Sequence, residues 1–105
     1  MNNDIFDLEE KLSSSDRDVV ATTMLYISHN ISENPWTQEK LISLLGNRDA
    51  DIRGLALTCL GHVARISGKI NSDLVFPVLK KMLLDESLGG RAQDALDDIE
   101  MFVKK

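Results

Sequence analysis

The chain has 105 residues, enough for one compact domain with its own hydrophobic core. Its net charge of −5 suits a basic protein partner and argues against nucleic acid, because phosphate binding needs a basic face. The single cysteine permits no internal disulfide, the N-terminal residues are acidic where a signal peptide is basic, and no apolar run reaches the roughly 18 residues of a membrane span. We therefore expect a cytoplasmic protein that neither enters a membrane nor binds nucleic acid.

Apolar residues recur at helical spacing along the whole chain, and no stretch alternates as a strand would. Ser14 or Ser15 is expected to cap the second helix, and Asn34 the third, which starts with Pro35. Gly68 is expected to end the fourth. Six helices are predicted, over about residues 5–12, 16–30, 35–45, 51–66, 72–83 and 89–103.

A pattern of about 35 residues occurs three times. The second helices match at Ala21, Met24 and Leu25, at Ala56, Cys59, Leu60 and Val63, and at Ala92, Ala95, Leu96 and Ile99. The first helices match at Leu8, Leu41 and Leu79, and again at Leu12, Leu45 and Leu83. Small residues such as Cys59 and Gly61 allow close helix approach, while Leu60 fills the core. We expect one domain over residues 1–105, made of three helical hairpins over about 4–31, 35–67 and 71–103.

Two stretches carry a resemblance to a known family: D-A-D-I-R-G-L-A-L-T-C-L-G, and D-L-V-F-P-V-L-K-K-M-L-L-D-E-S followed by R-A-Q-D-A-L. They resemble HEAT repeats, in which a first helix, often kinked by proline, leads through an Asp-containing turn to a second helix with an early arginine. The resemblance covers about residues 35–103 well and 4–31 poorly. It implies an all-α, right-handed α-solenoid in which Asp49 or Asp51 interacts with Arg53 to brace the turn. In the last unit Asp85 is present, but Arg91 is displaced by two positions.

Residues with catalytic or metal-binding chemistry form no recognisable motif. His29 and His62 lack zinc-ligand spacing, and Cys59 stands at a repeat position that is Met24 or Ala95 elsewhere, which favours a core role. The serines match no nucleophile motif, and the glycines match no phosphate loop. We expect no enzyme activity, no cofactor and no metal.

Two features favour a partner-binding surface. The sixth helix is acidic, with Asp94, Asp97, Asp98 and Glu100, and such a run is either a solvated face or a docking surface for a basic partner. Trp36, at the start of the third helix, is either a staple against a neighbouring helix or an exposed anchor for binding.

Small, acidic, free-standing HEAT-like proteins resemble the immunity proteins of bacterial contact-dependent growth inhibition. This resemblance implies a monomer that binds a cognate toxin domain, often a basic nuclease, in a 1:1 complex, with carboxylates in the place of nucleic-acid phosphates. Two alternatives stay open. One is a scaffold or adaptor subunit of a larger complex. The other is a lyase-type HEAT-like accessory protein, which no cluster of pocket-forming residues supports.

Overall fold

Six α-helices make up the regular secondary structure of residues 4–103, the part of the chain that a computed structural model describes, and no strand occurs there. They are α1 (Ile5–Leu12), α2 (Arg17–Asn30), α3 (Pro35–Leu44), α4 (Ala50–Ser67), α5 (Ser72–Met82) and α6 (Gly89–Phe102). The predicted all-α class is confirmed, and the helix bounds lie close to those predicted. None of these helices is both long and apolar enough to cross a bilayer.

Short polar side chains start most of the helices by accepting a backbone N–H at the first turn. These N-cap residues are Asp4, Asp16, Asn34, Asp49 and Asn71. The prediction for α2 is wrong: Asp16, rather than Ser14 or Ser15, accepts the N–H of Asp18, at 2.9 Å. An aspartate is favoured here because its full negative charge faces the positive end of the helix dipole. At the other end of α4, Gly68 adopts a φ of 66°, the left-handed conformation expected of a helix-ending glycine.

The longest helix, α4, lies at the centre of the molecule. It packs against α2, α3 and α6, and nine of its 18 residues are buried. Outside it, α1 packs on α2 and α5 packs on α6. The Cα atoms span 31 × 29 × 17 Å, and the short dimension fits two layers of helices because packed helix axes lie about 8–10 Å apart.

The repeated positions form the core, but to different extents. Leu8, Leu41 and Leu79 are fully buried, as are Met24 and Cys59, with Ala95 almost so. The leucines at the matching position of α2, α4 and α6 differ in exposure. Leu60 of α4 is 0% exposed, Leu96 of α6 is half-buried, and Leu25 of α2 is 40% exposed. The sequence repeat therefore marks positions of equal register, while burial depends on how central the helix is. The solenoid of three helical hairpins and its right-handed winding stay predictions.

Candidate functional site

Two glycines of α4 let charged side chains of α6 lie against its backbone. A Cβ atom at Gly54 would lie 2.7 Å from Nη1 of Arg91, and one at Gly61 would lie 2.6 Å from Oδ2 of Asp98. The two glycines are seven residues apart on α4, and Arg91 and Asp98 are seven residues apart on α6. Seven residues make two helical turns, so the two glycines share one face of α4 and the two charged residues share one face of α6. The close-packing role predicted for Gly61 therefore has a defined partner: the carboxylate of Asp98.

The groove between α4 and α6 collects three of the four predicted acidic residues. Asp98 is the least exposed of them, and Nε of Arg65 lies 3.6 Å from its Oδ2. Asp97 accepts a hydrogen bond at Oδ1 from Nε2 of Gln93, at 2.9 Å. Asp94 is exposed, and among residues 4–103 no basic side chain forms an ion pair with it. The groove has a volume of about 360 Å³ and is lined by Leu57, Thr58, Arg65, Arg91, Asp94, Ala95, Asp97 and Asp98.

Glu100 does not belong to this group. It borders a second groove of about 360 Å³, on the side of α6 that faces α5. The lining there is mostly apolar: Phe76, Leu96, Ile99 and Val103, with Ser72 and Gln93 at the polar edge. The sequence-based grouping of four acidic residues is therefore corrected to a cluster of three and one separate glutamate.

Trp36 has an internal partner. Its indole Nε1 donates to Oε1 of Glu9 at 2.9 Å, and Nζ of Lys40 lies 3.0 Å from the same oxygen. The indole hydrogen bond and the ammonium group hold the pKa of the Glu9 carboxyl below its usual range. Since Trp36 is half-buried and packed against the core, these contacts favour a staple between α3 and α1 over an exposed anchor.

The turn between α3 and α4 is braced differently from the expectation. The two aspartates at the start of α4, Asp49 and Asp51, both pair with Arg17 of α2: Nε of Arg17 contacts Oδ2 of Asp49, and Nη1 lies 3.2 Å from Oδ2 of Asp51. Asp49 also caps α4 by accepting the N–H of Asp51 at 2.8 Å. These carboxylates therefore join the start of α4 to the start of α2.

Arg53 has other partners. Its Nη1 donates to the backbone carbonyls of Asn47 and Arg48, at 2.8 and 3.1 Å, which fixes the turn without an ion pair to Asp49 or Asp51. Arg53 also acts on the following turn. Hydrogen bonds from the hydroxyl and N–H of Ser87 lower the pKa of the Asp85 carboxyl, and the positive field of Arg53 contributes to the same shift. Arg53 thus fixes its own turn by hydrogen bonds, and its charge is the weakest of the influences on Asp85 in the next turn.

A pair of histidines, not predicted from the sequence, joins α2 to α4. The ring centres of His29 and His62 lie 4.6 Å apart. Nδ1 of His29 lies 2.8 Å from the carbonyl oxygen of Leu25, whereas the buried Nδ1 of His62 has no hydrogen-bond partner among residues 4–103. Burial, followed by the fields of His29 and Arg65, lowers the pKa of His62. When α2 is aligned with α4 at the repeat offset of 35 residues, His29 falls only two positions from His62. This alignment is the sequence signal from which the histidine pair could have been predicted.

Cys59 is fully buried, and its burial raises the pKa of the thiol to about 11. The thiol is therefore protonated at neutral pH, in keeping with the predicted core role. Within residues 4–103, no three His, Cys, Asp or Glu side chains lie together as a set of metal ligands.

Comparison with known proteins finds no family model, no curated protein and no solved structure that matches this chain. Its function is therefore inferred from the chemistry of its surface.

Proposed function

We propose that this chain is a right-handed HEAT-like solenoid of three helical hairpins that binds a protein partner without catalysis. The partner that best fits its charge is a basic, nuclease-type toxin domain, which makes the chain an immunity protein. The observation that carries this proposal is the α4–α6 groove, where Asp94 and Asp97 are exposed and Asp98 is held beside them.

Contacts between consecutive hairpins support the solenoid. Arg17 reaches the turn of the second hairpin at Asp49, and Arg53 influences the turn of the third at Asp85. Each arginine precedes its aspartate by 32 residues, and the second pair follows the first by 36. The second helices contact one another in chain order, from α2 to α4 to α6. Equivalent charged positions at a constant offset are what a stack of similar units produces.

The charges of the groove support a basic partner. Asp94 and Asp97 have no ion-pair partner among residues 4–103, so both carboxylates can pair with a lysine or arginine from outside, although Arg65 and Arg91 line the same groove. An exposed ion pair contributes only about 0.2–1 kcal/mol to binding. The main contribution of these carboxylates is therefore to the rate of association, which falls as salt screens the attraction.

The test first looks for a secreted toxin domain encoded next to this gene and uses it as the partner; a neighbourhood that encodes no such domain counts against the immunity function. Neutralising the exposed acids with Asp94→Asn and Asp97→Asn should slow association and flatten its dependence on salt, as measured by surface plasmon resonance at low and high salt. Asp98 is left intact, because it packs on Gly61 and pairs with Arg65. The matched control is Glu33→Gln with Glu39→Gln, which removes the same charge from exposed positions elsewhere.

Three results decide the proposal. A larger loss of association rate, and of protection from the toxin, in the Asp94 and Asp97 variant than in the control supports it. Equal losses in both variants assign the effect to net charge and remove the groove from the interface. Failure of the unmodified chain to bind or to protect rejects the immunity function.

A second candidate is a subunit or adaptor of a larger assembly, and the apolar groove between α5 and α6 favours it. Phe76 and Leu96 line that groove, while Met101 is 75% exposed and Phe102 41% exposed at the end of α6. Light scattering separates the two candidates. The immunity proposal expects a monomer that forms a 1:1 complex, whereas a stable higher-order species that dissociates on Leu96→Asp favours an assembly subunit.

A further inference from the structure

The last two helices, α5 and α6, leave an apolar groove open between them. Its floor consists of Phe76 of α5 with Leu96, Ile99 and Val103 of α6, and its volume is about 360 Å³. Three of these four side chains are only half-buried. The main packing partner of α5 is α6. This side of the two helices is therefore uncovered within residues 4–103.

The matching positions of α3 and α4 meet the helices that follow them. The first helices of the repeat match at an offset of 38 residues, so Gln38 of α3 matches Phe76. Oε1 of Gln38 accepts the backbone N–H of Asn71, the residue that caps α5, at 2.7 Å. Leu60 of α4, which matches Leu96, is fully buried. The groove thus corresponds to a face that contacts a following helix, so a helix is the element expected to cover it.

Two carboxylates flank the floor of the groove. Asp73 precedes Phe76 by three residues and Glu100 follows Leu96 by four, so each carboxylate is a neighbour of a floor residue on its own helix. Both are exposed, and neither has an ion-pair partner among residues 4–103. Each is therefore available to a cation of another molecule.

The other charges at the edge of the groove leave it negative. Asp97 accepts a hydrogen bond from Gln93, which lines the groove, and Lys80 follows Phe76 by four residues. Within residues 4–103 the edge thus carries more carboxylates than ammonium groups. Such an edge complements a helix that carries lysine or arginine beside its apolar side chains, and it disfavours a second copy of the same acidic face.

We propose that the groove between α5 and α6 binds an amphipathic α-helix of a partner protein. The helix places apolar residues at positions i, i+3 or i+4, and i+7 against Phe76 and Leu96, and lysine or arginine beside Asp73 and Glu100. This inference rests on the proposed role of the chain as a protein-binding module. It adds a contact surface on the side of α6 that faces α5.

The experiment uses a synthetic peptide of about 18 residues, long enough to form a helix, with leucines on one face and lysines elsewhere. A peptide of the same composition with scattered leucines is the control for charge alone. Affinity is measured by fluorescence anisotropy of the labelled peptides, and the contact surface by ¹H–¹⁵N NMR spectra of the chain. The amphipathic peptide should bind more tightly than its control and should shift the amide signals of α5 and α6.

Phe76→Ala should weaken binding of the amphipathic peptide by about tenfold or more, because a central aromatic side chain commonly supplies a large share of the contact energy. Asp73→Asn with Glu100→Gln should weaken it by about threefold or more at low salt and make it less dependent on salt. Both acids are exposed, so this variant keeps its fold even if Phe76→Ala does not. Glu33→Gln with Glu39→Gln removes the same charge from exposed positions elsewhere and should have a smaller effect.

The proposal is overturned if the two peptides bind equally, because charge alone then accounts for binding, or if the shifted signals lie outside α5 and α6. It is also overturned if light scattering finds a dimer of the free chain that Phe76→Ala dissociates, because a second copy then covers the groove. None of these measurements uses the toxin domain, so failure of this inference and failure of the immunity function are distinguished.

Discussion

Replacing Leu60 with alanine should remove a large part of the free energy of unfolding. Leu60 is fully buried in α4, the central helix. Truncation of a buried leucine costs about 2–5 kcal/mol, because the apolar surface is lost from the core and a cavity is left behind. A domain of this size has a free energy of unfolding of about 5–15 kcal/mol, so this single change takes a substantial fraction of it.

The repeat supplies two matched controls, Leu25→Ala and Leu96→Ala. Both leucines stand in the same register as Leu60, but Leu25 is 40% exposed and Leu96 is half-buried. Leu25→Ala should cost about 1 kcal/mol or less, because much of its side chain already contacts water and no closed cavity forms. Leu96→Ala should fall between the other two.

Urea denaturation followed by far-UV circular dichroism measures all three. With a slope of about 1.5 kcal/mol/M, the midpoint of Leu60→Ala should be about 1–3 M below that of the unmodified chain, and the midpoint of Leu25→Ala less than about 1 M below it. Equal shifts for the three variants would refute the reasoning, since they would mean that the helices are equally central. A larger shift for Leu25→Ala than for Leu60→Ala would place the core outside α4.

Three further outcomes are expected from single sites. Cys59, which is buried and has a thiol pKa of about 11, should be alkylated by iodoacetamide at mildly alkaline pH only as the chain unfolds, and rapid labelling of the folded protein would contradict its core position. The pKa of His62 is lowered in the folded state, so the unfolded chain binds more protons than the folded chain below a pH of about 6.5. The urea midpoint should therefore fall as the pH is lowered through that value. His62→Gln should make the urea midpoint less dependent on pH. Glu9→Ala should move the fluorescence of Trp36, the only tryptophan, to longer wavelength with unchanged far-UV circular dichroism, whereas an unchanged spectrum would show that the indole does not depend on this carboxylate.

Local features of the fold could be predicted because their causes lie within a few residues. Apolar spacing identified the six helices, and Asn34 with Pro35 marked the start of α3. Gly68 ends α4 in the left-handed conformation that glycine adopts without strain. The cap of α2 was assigned wrongly because serine and aspartate are both good N-cap residues, and the sequence offers both within three positions.

The composition of the acidic cluster was predictable only in part. Asp94, Asp97 and Asp98 fall on one side of α6, but Glu100 follows Asp94 by six residues, or about 240° around the helix, and so faces elsewhere. A helical projection of the sequence is therefore enough to separate Glu100 from the three aspartates. The role of Asp98 needed the three-dimensional structure, because its contact with Gly61 depends on how closely α6 approaches α4.

Contacts between helices can be predicted only once it is known which helices are neighbours. The ion pair of Arg17 with Asp49 is an example. The family resemblance implies that Asp49 or Asp51 pairs with Arg53, yet Asp49 pairs with Arg17 of α2, which precedes it by 32 residues. The packing of α2 against α4 brings Arg17 and Asp49 together. The repeat offset of 36 residues aligns Arg53 with Gly89, and the arginine of α6, Arg91, stands two positions later and lies against Gly54 of α4. α6 thus places its first guanidinium against the backbone of α4, while its carboxylates Asp94 and Asp97 stay exposed without an ion pair among residues 4–103.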